Sequence, residues 1–170
     1  THAAYGGIVY FNPQGQIELM NCKDKNGTFD ENVLSQIQQR AVTEKGSFFQ
    51  QKMIIQNGEA KTSSTNQTLF EWRALCKGKD GSTFVLNCTE KITLTDFIKM
   101  ALSMKDAKGQ KLVSDVVLED TGDYSTAVFR DKEQIQKDKK TGGFDSHVMV
   151  DENYPNKKNY TNTVVIGVKQ

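Results

Sequence analysis

A chain of 170 residues with 36% apolar and 25% charged side chains holds enough apolar material for a core, which excludes a disordered chain and points to a single domain-sized unit. Its 22 basic and 21 acidic residues leave a net charge of +1, so the long-range field that draws proteins to nucleic acid or an anionic membrane is missing. Arginine stands only at Arg40, Arg73 and Arg130, which leaves few bidentate contacts for phosphate or base recognition, and no nucleic-acid partner is expected.

Residues 8–11 and 16–22 flank Asn12-Pro13-Gln14-Gly15, where Pro at the second turn position and Gly at the fourth fit a type I turn closed by a left-handed glycine. This loop sets Asn12 opposite Gln16. Val9, Phe11, Ile17 and Leu19 then share one face, taken as the core side, and Ile8, Tyr10, Glu18 and Met20 share the other. After a turn at residues 24–27, Thr28 and Glu31 have capping-box spacing, opening a helix to about Glu44 with an apolar stripe of Val33, Leu34, Ile37 and Ala41. Lys45-Gly46 ends it. Residues 47–56 read as one exposed, Gln-rich strand close to a sheet edge, and residues 57–68 as a polar loop.

A second hairpin joins residues 69–77 to 82–89 around Gly78-Lys79-Asp80-Gly81. Counting outwards, Cys76 faces Phe84, Ala74 faces Leu86 and Trp72 faces Cys88, which gathers a core face completed by Phe70. Thr93 or Thr95 caps a second helix over residues 94–107, closed by Lys108-Gly109, with Leu94, Phe97, Ile98, Ala101, Leu102 and Met104 on its buried side. Strand-like segments follow at 111–119, 124–130, 144–151 and 160–169.

The fold class is therefore α+β, a mainly antiparallel sheet packed against two helices in the order ββαβββαββββ, as one domain over residues 1–170. The two Lys-Gly-closed helices raise a pseudo-duplication with halves at about 1–90 and 91–170; one curved sheet wrapping both helices, or a sheet with helices on one side, are the alternatives. No apolar run reaches the ~20 residues that span a bilayer. The start at Thr1-His2-Ala3-Ala4 reads as trimmed or processed, without the features of a signal peptide.

Three cysteines allow one internal disulfide at most. The hairpin register separates Cys76 from Cys88 by four strand positions, roughly 13 Å at ~3.3 Å per residue, beyond the ~7 Å reach of a bridge. A bridge would run from Cys22 to Cys76 or Cys88, and reduced, packed thiols are the preferred reading. No Cys-x-x-Cys pair exists and histidines are two, which sets aside the usual zinc spacings and dithiol redox motifs.

His147 lies in a segment whose alternation puts Asp145, His147 and Asp151 on one side, so a carboxylate-oriented imidazole is the chief candidate for catalysis, against a solvated surface histidine. The acidic stretch from Asp24 has its glycine in the wrong place for a calcium loop and reads as a turn. No phosphate-cradling or dinucleotide glycine motif occurs, and no cofactor or metal is expected. Asn-x-Ser/Thr sequons at Asn26, Asn66, Asn87 and Asn159 matter only in a glycosylating secretory route. Lys137, Lys139, Lys140, Lys157 and Lys158 read as solvated surface.

Tyr10, Phe48 and Trp72 are the candidate binding aromatics, with core packing the preferred reading of Trp72 and the alternative for Tyr10 and Phe48. No stretch nominates a family. These features lead to the expectation of a non-catalytic, extracytoplasmic or secreted protein-binding module with a protein partner, such as a subunit of a surface or secretion assembly. The alternatives are an enzyme or secreted effector with a site around His147, and a small-ligand carrier.

Overall fold

The structure, a computed structural model, describes residues 5–24, 26–62, 67–88 and 90–119, with the strand backbones at 127–128 and 148–150. The first hairpin joins β1 (Gly7–Phe11) to β2 (Ile17–Asn21) in the expected register, with Val9 opposite Leu19 and Phe11 opposite Ile17. Its turn closes through Asn12, which accepts from the amides of Gln14 and Gln16, and Gly15 takes φ +79°. Residues 24–28 and 106–110 repeat this geometry. In each, an Asp side chain accepts from the amides two and four residues on, and Gly27 or Gly109 supplies the left-handed position.

Helix α1 (Glu31–Glu44) has its cap two residues beyond the one read from sequence. Asp24 N–H binds the Thr28 carbonyl and Lys23 bridges to Phe29, so Thr28 belongs to the turn; Asp30 caps the helix by accepting from Asn32 and Val33. At the other end Lys45 takes the left-handed conformation, φ 57°, and Gly46 serves a different need. A Cβ on Gly46 would collide with the Tyr10 hydroxyl and lie 2.8 Å from the Phe11 carbonyl oxygen.

The run over 47–56, read from sequence as one strand, is two strands in different sheets. β3 (Ser47–Gln51) pairs with β1, and after Lys52 the chain enters β4 (Met53–Gln56), which pairs with the later strand β8 (Val113–Leu118). The expected loop at 57–68 begins instead with a tight hairpin, Asn57 and Gly58 both at positive φ, joining β4 to β5 (Glu59–Ala60).

The second hairpin, β6 (Arg73–Gly78) and β7 (Thr83–Asn87), keeps the expected register, including Cys76 opposite Phe84 and Ala74 opposite Leu86. Helix α2 (Leu94–Ser103) is capped by Thr93, whose hydroxyl accepts from Asp96 N–H. It ends before the expected Lys108-Gly109 stop, because Asp106 closes a hairpin turn that brings Lys105 opposite Lys111 and leads into β8 (Val113–Leu118). Of the three later segments, β9 (Ala127–Val128) and β10 (Val148–Val150) pair with each other, and 160–169 lies outside the described residues.

These elements form an α+β fold in which every described strand pair is antiparallel. One sheet has the order β2-β1-β3 and the main one β5-β4-β8-β6-β7. They stack face to face through Val9, Met53, Leu75 and Val117, flanked by Phe11, Leu19, Phe49 and Val85. Helix α1 covers the outer face of the smaller sheet, laying Leu34 and Ile37 on Ile8 and Tyr10. Helix α2 covers the outer face of the larger one, where Phe97, Ile98 and Ala101 meet Ala74, Cys76 and Val116. The layers thus run helix, sheet, sheet, helix. Neither a single curved sheet nor helices on one side describes this; alternation buries both faces of β1 and β6, one against a helix and one against the other sheet.

A topological repeat is present with boundaries of its own. β1, β2, α1 and β3 form a hairpin, a crossing helix and a strand returning beside the first; β6, β7, α2 and β8 do the same. The two stretches with this order span residues 7–51 and 73–118.

Candidate functional site

The sequence-nominated aromatics fall in three settings. Tyr10 is fully enclosed beneath α1, where its hydroxyl donates to Glu44 Oε2 at 2.8 Å and the Arg40 guanidinium stacks 4.4 Å from its ring centroid. Arg40 also grips Glu18 with both terminal nitrogens, at 2.7 and 2.8 Å, and reaches Glu44 through Nε at 3.0 Å. Burial raises the Tyr10 pKa, with the Glu44 bond adding to it. The Arg40 hydrogen bonds hold Glu18 below the ordinary carboxylate range, and the Tyr10 bond, then Arg40, does so for Glu44. This closed circuit fastens α1 to β1 and β2 and withdraws Tyr10 from the surface.

Trp72 is half-buried in the α2 layer, edge-on to Phe70 at 5.4 Å, with Nε1 donating to the Ile92 carbonyl at 2.8 Å. Its polar edge is therefore satisfied inside the fold. Phe48 packs its ring against the α1 layer while its backbone lies on β3. His147, Asp145 and Asp151 lie outside the described residues, so the site built on them has no structural account. Among the described residues no group of three or more His, Cys, Asp or Glu side chains is placed to hold a metal. The three cysteines are buried and unpaired.

Phe48 matters through its main chain. Among the described strands β3 is an edge of the smaller sheet. Asn12 N–H binds the Gln16 carbonyl and Cys22 N–H the Gly6 carbonyl, which fixes the phase of hydrogen bonding along β1. Even-numbered β1 residues bond to β2, and Gly7, Val9 and Phe11 bond to Gln51, Phe49 and Ser47. The amide and carbonyl of Phe48 consequently point away from β1. The strand is short and uncharged, Ser47-Phe48-Phe49-Gln50-Gln51, with none of the lysine, proline or bulge devices that discourage pairing at an edge. Sequence reasoning placed this strand near an edge from its glutamines.

Another polar group sits at one end of the main sheet. Arg73 Nε donates to Asn87 Oδ1 at 3.1 Å, and Glu119 N–H donates to the Arg73 carbonyl at 2.9 Å. Burial raises the Glu119 pKa, moderated by the Arg73 charge. No signal in the sequence set Glu119 apart from other carboxylates.

No helix among the described residues is long and apolar enough to cross a membrane. No family model, no curated protein and no solved structure matches this chain.

Proposed function

We propose that this chain is a non-catalytic protein-binding module that works outside the cytoplasm, as a subunit of a surface or secretion assembly, and takes an extended segment of a partner onto β3. The observation that carries the reading is the place of β3 at an edge among the described strands, with Phe48 aiming its amide and carbonyl away from β1. Strand addition draws affinity from main-chain hydrogen bonds and specificity from alternate side chains. The buried cysteines are compatible with an oxidising compartment, because no described thiol is left at the surface to form mixed disulfides.

A photo-crosslinking residue at exposed Ser47, with a control at Lys108 on the turn after α2, tests it in extract of the native source. One defined protein should couple at 47 and not at 108. A Phe48→Pro version that keeps its native circular dichroism should lose that adduct, because proline removes the outward amide of Phe48 that the β1–β3 ladder does not use. An adduct indifferent to the proline, or substrate turnover by the purified chain without a partner, overturns the proposal.

A further inference from the structure

The larger sheet ends in β7, Thr83-Phe84-Val85-Leu86-Asn87, which among the described strands has β6 on one side and no strand on the other. Its hydrogen-bond phase follows from both ends of the hairpin. Gly78 N–H binds the Ser82 carbonyl at 2.8 Å and Cys88 N–H binds the Trp72 carbonyl at 2.8 Å. By alternation Phe84 and Leu86 bond to β6, while the amides and carbonyls of Thr83 and Val85 point outward. The strand has no charge, proline or bulge, and its apolar side chains alternate between the α2 layer and the inter-sheet core.

We propose that β7 pairs with β7 of a second copy of this chain, antiparallel about a two-fold axis at Val85, joining two five-stranded sheets edge to edge. The occupant is argued from self-complementarity. Around that axis the two Val85 residues exchange both main-chain hydrogen bonds. Phe84 of each copy stands opposite Leu86 of the other, and Thr83 stands opposite Asn87, so apolar meets apolar and polar meets polar without charge conflict. The other long edges fail this test. Self-pairing of β2 sets Glu18 against Met20 and Ile17 against Asn21, and self-pairing of β3 sets Phe48 against Gln50. This contact is separate from the partner strand proposed for β3, so either can fail alone.

Sedimentation velocity of the full chain over a wide concentration series should show reversible formation of a species of twice the 19.1 kDa chain mass. Two double variants then locate the contact. In Thr83→Lys/Asn87→Glu opposite charges face each other across the axis; in Thr83→Glu/Asn87→Glu like charges do. The dimer dissociation constant should be at least roughly tenfold weaker for the second. Folding pulls the other way, because Lys77 stands opposite Thr83 on β6 and favours Glu at position 83 within the monomer. Altered folding therefore cannot mimic the expected order. A chain that stays monomeric throughout, or equal dissociation constants for the two variants, overturns the proposal, including the case in which another segment or protein covers β7.

Discussion

Gly46 follows a helix ending, and from sequence it reads as the left-handed residue that stops α1. Lys45 holds that conformation instead, so glycine is required at 46 for space: an added Cβ would strike the Tyr10 hydroxyl and lie 2.8 Å from both Tyr10 Cζ and the Phe11 carbonyl oxygen. Gly46→Ala should therefore destabilise the fold. Overpacking of this kind costs about 1–3 kcal/mol. The alanine recovers about 0.4–1 kcal/mol by restricting the unfolded chain. The net loss is roughly 1–2 kcal/mol, or a fall in Tm of about 2–8 °C at this chain size. Urea unfolding followed by Trp72 fluorescence and far-UV circular dichroism measures it. Tyr10→Phe deletes the nearest clashing atom, so Tyr10→Phe/Gly46→Ala should lose less than the sum of the single losses, by ~0.5 kcal/mol or more. Additive losses, or a neutral Gly46→Ala, would refute the account of why glycine stands there.

Three further outcomes follow from the same geometry. Asp30→Ala should cost about 1 kcal/mol, as loss of a helix cap does, whereas Thr28→Ala should cost clearly less; the reverse order in chemical denaturation would restore Thr28 as the cap. Burial pushes the Cys76 thiol up to about 12 from an ordinary value of 9.0, so ionisation alone slows its alkylation roughly a thousandfold, and mass-resolved labelling should find it modified only as the protein unfolds. Rapid labelling of Cys76 in the native state would contradict its enclosure. Glu119 has its folded pKa raised, so it opposes folding once pH exceeds its unfolded value near 4.5, and the penalty vanishes in acid. Glu119→Gln should stabilise the protein at neutral pH and make no difference well below pH 4.5, a contrast read from denaturation at the two pH values.

The hairpins were legible because loop length and alternation fix register together. Once Gly15 and Gly81 are taken as the left-handed turn residues, Val9–Leu19 and Cys76–Phe84 follow by counting. The apolar stripes of both helices were legible too. What escaped depends on contacts distant in sequence. Nothing local at Lys52 shows that the chain changes sheets there. Lys45-Gly46 and Lys108-Gly109 look alike, yet Asp106 turns the second into a hairpin. Asn57-Gly58 did carry a turn signal, but β5 has two residues, too few for alternation to register. Tyr10 was assigned to the face away from the core because a strand reading cannot show that α1 covers that face. That β7 is an edge among the described strands depends on which strands pair with β6, which its own residues do not show. The residues that nominated an enzyme, His147 with Asp145 and Asp151, lie outside the described residues.

The passage through Lys52 bears on how the protein opens. β3 and β4 are separated by that one residue, and the Lys52 carbonyl accepts a bond from Leu118 N–H at 2.9 Å, so it is stitched into the larger sheet while Gln51 beside it belongs to the smaller. Gly7 lets the chains close at this corner, its Cβ position lying 2.8 Å from both the Gln51 carbonyl oxygen and the Met53 amide nitrogen. Peeling the smaller sheet away would drag on β4 and, through it, on β8, the central strand of the larger one. The two repeats should therefore exchange their most protected amides with solvent at a common rate, as one foldon, although each has the topology of a self-standing unit.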